Sequence, residues 1–177
     1  LKKEVAILAD LRGPKIRLEK FAEGPITLES GDEFILDASE DAGPGDQSGI
    51  GVTYKGLADD VSVGDLLLLD DGLVTMRAAE IQGKKIIWEV EAGGVLGDRK
   101  GINVQGGGLS LPGIAEHDIE DIPRAAAMGV DFLAVSFPRN AEDMNEARRL
   151  LREAGSPARL VAKIERTEAI TNLEEII

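Results

Sequence analysis

The sequence of 177 residues contains no cysteine. That excludes a disulfide framework and a thiolate metal site, and it fits the cytoplasm. Aromatic residues amount to 3% against 43% hydrophobic, so a core has to be built from Leu, Ile, Val and Ala. No apolar run approaches the roughly 20 residues of a membrane span. No basic segment followed by an apolar one opens the chain. The single histidine, His117, has no partner motif and reads as a surface residue at a helix start. Positive charge is scarce in one stretch: residues 21–75 carry thirteen acidic side chains and one basic one, Lys55. Such a surface argues against nucleic acid as a partner and reads as a solvated acidic face.

What is present falls into two textures. The chain opens with the apolar run Val5–Ala9, which reads as a buried strand of the parallel kind. Gly13-Pro14 ends it. Asp10, Arg12, Lys15 and Arg17 then crowd into eight positions. A buried strand ending in mixed charge builds a poor core, but it suits a site at the carboxyl end of a parallel strand. From about 25 to 112, short β-type runs alternate with turn signals. They are Ile26–Leu28, Glu33–Asp37, Val52–Tyr54, Leu66–Leu69, Leu73–Arg77, Ile86–Glu91 and Ile102–Val104. Asp70-Asp71-Gly72 between Leu-rich runs predicts a hairpin. The spacing suggests a small antiparallel barrel or sandwich.

From residue 114 the period lengthens to about 3.6. Glu116–Met128 reads as a helix that Pro123 kinks or delays. Val130–Phe137 reads as a strand. Asn140 caps a helix with Met144, Ala147, Leu150 and Leu151 inward. Leu160–Ile164 reads as a third buried strand. Thr167 caps a last helix whose Ile170, Leu173 and Ile177 form its apolar face. The expected fold class is α/β plus all-β: part of a (β/α) barrel with a small antiparallel β-barrel inserted. The expected domains are a barrel strand at 1–13, the inserted β-barrel at 14–112, and helix–strand–helix–strand–helix at 113–177. A closed (β/α) barrel needs eight strands, so the chain is expected to be a piece of a longer protein.

Alternation along the third strand puts Lys163 and Glu165 on one side of its carboxyl end. A cation and a carboxylate there suit a developing anion and a hard metal ion; they also read as an ordinary ion pair. The second strand ends in Ser136 and Arg139. Arg139 reads first as a rim charge near a helix start, and second as a contact for phosphate or carboxylate.

Together these stretches resemble pyruvate kinase over the whole chain. Asp10-Leu11-Arg12-Gly13-Pro14-Lys15-Ile16-Arg17 is similar to that family's Asp-Thr-Lys-Gly-Pro-Glu-Ile-Arg. Leu69–Leu73, Lys100–Asn103, Val135–Phe137 and Ala162–Glu165 follow in the family's order. The resemblance implies phosphoryl transfer from phosphoenolpyruvate to ADP, giving pyruvate and ATP in glycolysis, by a cytoplasmic homo-oligomer that binds neither nucleic acid nor membrane. The inserted domain would be its lid. Lys163 matches the lysine that stabilises the transferring phosphoryl group and the enolate. Glu165 matches a ligand of Mg²⁺ (or Mn²⁺), whose partner Asp lies past residue 177. Asp10 and the Leu11 carbonyl match ligands of a monovalent cation. Arg17 and Lys100 match nucleotide-phosphate contacts, and Asp70 and Asp71 the lid turn that closes on the nucleotide. Ser136 and Arg139 would lie on the substrate side.

Departures from the family pattern are Leu11 for Thr, Arg12 for Lys and Lys15 for Glu. Lys15 matters most, because pyruvate kinases with Lys there generally do not require K⁺. The family's Asn-Leu-Pro-Gly is replaced by Asn103-Val104-Gln105-Gly106, followed by Gly107 and Gly108. These glycines, with Gly13-Pro14, are the expected hinges. The 177 residues alone are expected to be inactive. Two other readings remain open: another (β/α) barrel enzyme acting on an enolate, and a free-standing β module that binds or regulates.

Overall fold

The computed structural model describes residues 4–105 and 108–177. In chain order the strands are β1 (Leu8–Asp10), β2 (Ile26–Leu28), β3 (Glu33–Asp37), β4 (Gly49–Gly51), β5 (Leu66–Leu69), β6 (Val74–Gln82), β7 (Lys85–Ala92), β8 (Gly94–Leu96), β9 (Ile102–Val104), β10 (Phe132–Val135) and β11 (Arg159–Ala162). The helices are α1 (Leu57–Asp60), α2 (Glu116–Ala127), α3 (Ala141–Glu153), α4 (Thr167–Thr171) and α5 (Leu173–Ile176). They form two compact units, one of Leu1–Pro14 with Leu111–Ile177 and one of Lys15–Ser110.

The first unit is a parallel sheet of order β1-β10-β11, with Leu8 opposite Phe132 and Phe132 opposite Arg159. The parallel β1–β10–β11 ladder, with helices between the strands, matches part of a (β/α) barrel. Its core joins Leu133 and Val135 of β10 to Ile122 of α2 and to Met144, Ala147 and Leu151 of α3. That is the inward face the 3.6 period marked on α3. Asn140 caps α3 as read, its side chain accepting from the Asp143 N–H at 3.1 Å.

Three expectations need correction here. The opening run is not buried: Val5, Ile7 and Leu8 are each more than half exposed. Among the described residues β1 is an edge strand paired only with β10, so Ala9 packs against the core while Leu8 faces away from it. Of the two readings for Pro123, the delayed start does not hold. The helix starts at Glu116 and runs on through Pro123, whose missing N–H would have bonded the carbonyl of Ile119, an exposed residue. The last helix starts after Arg166, with Thr167 inside it, and breaks at Asn172. The break changes the phase, so Ala169 and Ile176 are buried while Ile170 and Ile177 face solvent.

The second unit carries a six-stranded sheet of order β4-β3-β7-β6-β5-β9 and a β2–β8 pair. Side chains alternate in and out along β3, β6 and β7. The inward set includes Phe34, Leu36, Leu67, Leu69, Met76 and Trp88, all fully buried. Residues 16–19 close the sheet. Leu18 bridges Val52 beyond β4, and Arg17 bridges Gly101 before β9. Closure removes the free edges of a small sheet. The pairing is not wholly antiparallel, because β3 and β4 run parallel. The run read as Val52–Tyr54 is displaced, with the strand at Gly49–Gly51. The short β8 and α1 carried no readable period.

Candidate active site

In the first unit the three parallel strands deliver their carboxyl ends together, and Lys163 sits where they meet. The Lys163 N–H donates to the Val135 carbonyl at 3.0 Å, continuing the ladder one residue past β11. Its Nζ lies 3.0 and 3.1 Å from the two Asp10 carboxylate oxygens, 2.9 Å from Ser136 Oγ and 3.5 Å from Glu165 Oε1. Burial alone would lower the Lys163 pKa. The hydrogen bond donated to Asp10 and the charges of Glu165 and Asp10 outweigh it and raise the value above the ordinary lysine range. The ammonium is therefore a fixed positive charge at any physiological pH.

Ser136 is buried and links the strands. Its hydroxyl donates to the Leu11 carbonyl and its oxygen accepts from Lys163. Two backbone features shape the loops around it. Gly13 has φ +65°, and a Cβ there would lie 2.8 Å from the Ser136 Cβ. Only glycine meets both demands. Phe137 has φ +59°, a conformation costly for an aromatic residue. It directs its N–H to Glu165 Oε2 at 3.2 Å. Glu165 is thereby held between Phe137 and Lys163, still one-third exposed.

Two buried carboxylates that sequence reasoning missed support these loops. Asp118, 1% exposed, accepts from Gly13 N–H at 3.3 Å and Ala115 N–H at 3.2 Å. It ties the loop after β1 to the start of α2. A Ser or Thr at the cap position would have signalled it, but Ala115 stands there. His117, beside it, is only partly a surface residue: its Nε2 is buried, 3.5 Å from Asp118 Oδ1. Asp143 accepts from Nε and Nη2 of Arg139 and from its backbone N–H, at 2.8 to 2.9 Å. Burial pushes the Asp143 carboxyl up, and the Arg139 bonds pull it below its usual range. Gly113 leaves room for this carboxylate, since a Cβ there would overlap Asp143 Cγ. Arg139 is thus directed onto α3, and its partner is Asp143 rather than the Lys163 group.

The second unit gathers Arg17, Lys100, Asp70 and Asp71 with Arg99 and Lys15. Arg17 donates from Nη1 to the Arg99 carbonyl at 2.9 Å, and its N–H to Thr53 Oγ1 at 3.0 Å. Lys100 Nζ lies 2.8 Å from Asp70 Oδ2. Lys15 is exposed and lies across Gly101, where a Cβ would come within 3.1 Å of its Cε. Lys15, Arg17, Arg99 and Lys100 are cations on two segments of a largely acidic domain, an arrangement suited to phosphate oxygens, with Asp70 paired to one of them. Of the expected hinge glycines, Gly106 and Gly107 lie outside the described residues. Ser110 is fastened within the second unit, its N–H and hydroxyl both donating to Asp60 at 2.7 Å.

Comparison with known proteins bears on the family of the chain. The family model described as pyruvate kinase, barrel domain, matches residues 1–177. The chain is 55% identical over 170 residues to pyruvate kinase II of Salmonella typhimurium, covering 96% of this chain and 35% of that protein. It is 52% identical over 174 residues to the pyruvate kinase of Haemophilus influenzae, covering 98% and 36%. It is 39% identical over 177 residues to that of Clostridium perfringens, covering 99% and 37%. The chain therefore spans little more than a third of the length of these relatives. With a match of this extent and the strand-end group around Lys163, the chain belongs to the pyruvate kinase family.

Proposed function

We propose that this chain supplies part of the active site of an enzyme that transfers a phosphoryl group from phosphoenolpyruvate to ADP. The observation that carries the reading is the Lys163 ammonium, held by Asp10, Ser136 and Glu165 at the carboxyl ends of three parallel strands. In the reaction the bond between phosphorus and the enol oxygen breaks, and a bond from phosphorus to a terminal oxygen of ADP forms. The enolate left behind takes a proton at carbon and becomes pyruvate. Negative charge moves onto the enol oxygen and spreads over the phosphoryl oxygens. A cation already fixed in place stabilises that charge without reorganisation. Ser136 and Asp10 keep the Lys163 side chain extended toward the reacting group.

Among the described residues no three His, Asp or Glu side chains converge as a metal cage. Mg²⁺ does not need one: one or two carboxylates with water and substrate oxygens suffice. Glu165, beside a half-exposed Asp10, fits that donor chemistry, and Mg²⁺ or Mn²⁺ bound there would add positive charge for the phosphoryl oxygens. The nucleotide phosphates fall to Arg17 and Lys100, beside the Asp70-Asp71 turn. The Lys15–Ser110 unit would be an inserted lid, and the whole enzyme a cytoplasmic homo-oligomer acting without nucleic acid or membrane. No described helix is long and apolar enough to cross a membrane. Another barrel enzyme acting on an enolate would not need the cations of the second unit.

The test is Lys163→Met in the full-length enzyme. The expected result is a fall in kcat of several orders of magnitude with a small change in KM, because the charge acts chiefly in the transition state. A large rise in KM with kcat retained would overturn the role. The 177 residues alone should show no turnover. Lys15 supports a second proposal, that K⁺ is not required. A unit charge at 4 Å is worth about 4 kcal/mol at an effective dielectric near 20, enough for an ammonium to replace a bound cation. Turnover in tetramethylammonium buffer should persist without KCl in the wild type and depend on KCl in Lys15→Glu. A wild type inert until K⁺ is added would refute this.

A further inference from the structure

The link between β5 and β6 is more strained than a hairpin requires. Asp70, Asp71 and Gly72 all have positive φ, at 50°, 58° and 89°. A two-residue hairpin turn needs at most two such residues and favours Asn-Gly for them. Here two aspartates and a glycine take the left-handed region in succession. Across from them Arg99 also has positive φ, at 59°. Clusters of this kind persist only where the surroundings impose them, and they concentrate at functional sites. The strain at Asp70 has an identifiable result. Its N–H donates to the Gly101 carbonyl at 3.2 Å, and its carboxylate reaches Lys100 Nζ at 2.8 Å. Both contacts land on the two-residue segment just before β9. Arg17 reaches the Arg99 carbonyl next to it.

We propose that Asp70 is a positioning residue that holds the Lys100 ammonium in place for the nucleotide phosphates and does not itself bind nucleotide. The chemistry favours this division. A carboxylate facing a di- or triphosphate repels it unless a cation lies between them. A Lys side chain left unpaired loses rotamer freedom on binding phosphate, whereas one already held has less to lose. The strained turn secures that arrangement in the second unit. This inference rests on the phosphoryl-transfer reading above.

The test measures KM for ADP, KM for phosphoenolpyruvate and kcat in the full-length enzyme for Asp70→Asn, Lys100→Ala and the double variant. Asn tolerates positive φ as well as Asp does, so the turn survives and only the charge is lost; an unchanged thermal midpoint verifies this. Asp70→Asn should raise KM for ADP about tenfold, the size expected for one charge-assisted hydrogen bond, with KM for phosphoenolpyruvate nearly unchanged. In the double variant the loss should equal that of Lys100→Ala alone, because Asp70 acts through Lys100. Independent, multiplying effects would overturn the proposal, as would equal changes in both KM values or no change at all. A wild-type enzyme that does not turn over phosphoenolpyruvate with ADP would instead overturn the reading beneath it, and this inference with it.

Discussion

The two units solve the problem of a core in different ways. Lys15–Ser110 closes its sheet through residues 16–19 and fills it with Phe34, Leu36, Met76 and Trp88. Among the described residues its buried set is wholly apolar by residue type. The parallel unit instead buries Asp118, Ser136 and Asp143, and each of them fixes a loop at the carboxyl end of a strand. It also leaves Val5, Ile7, Leu8, Ile170 and Ile177 exposed. Stability and geometry are thus separated. The β unit is held by apolar burial, while the parallel unit places polar groups inside to hold the site's geometry.

The sharpest way to break this contrast is to separate the units. A polypeptide of Lys15–Ser110 should unfold in a single cooperative transition, and Phe34→Ala within it should cost about 3–5 kcal/mol, as expected for emptying a fully buried aromatic site. The same substitution in the full-length enzyme should leave the pH dependence of stability unchanged, since no titrating group lies in that core. Urea unfolding followed by Trp88 fluorescence reads both results. A non-cooperative transition in the excised unit would show that its core is not sufficient.

The sequence revealed the units unequally. Period 2 with turn signals located β2, β3, β5 and β9 closely, and Asn140 marked the start of α3 because its side chain performs the cap by itself. Burial was harder to read. The run Val5–Ala9 reads as buried on composition, yet whether an edge strand is covered depends on neighbours that local pattern does not encode. The last helix misled for a related reason: the break at Asn172 rotates the face that Ile170 and Leu173 would have shared. Within the site, Lys163 and Glu165 were legible from strand alternation. Asp118 and Asp143 were not, because each looked like an ordinary acidic residue in the first turn of a helix. Their burial arises from contacts distant in sequence, Gly13 for Asp118, or from a turn that brings back Arg139 for Asp143.

Asp143 offers the finer test of the contrast, through pH. Its carboxyl lies below its usual range in the folded protein: burial opposes ionisation, but the Arg139 hydrogen bonds favour it more strongly. In the unfolded chain the group returns to its ordinary value of about 3.9. A group whose folded pKa is depressed contributes stability that is fully present above the unfolded value and is lost as pH falls through the folded one. Asp143→Asn removes the charge and leaves Arg139, itself about a third exposed, without its carboxylate. The expected loss at neutral pH is therefore about 1–3 kcal/mol, less than for a fully buried pair. Between pH 5 and 8 the difference from wild type should be flat. Below about pH 4 it should shrink progressively, because the unfolded wild-type chain takes up a proton at Asp143 there while the folded carboxylate holds its charge to lower pH, and the advantage is gone once the folded group is protonated too. Denaturant midpoints of the two proteins across that range measure the difference. A gap that stays constant down to pH 2 would mean that Asp143 stabilises the parallel unit by packing against Gly113 rather than by its charge.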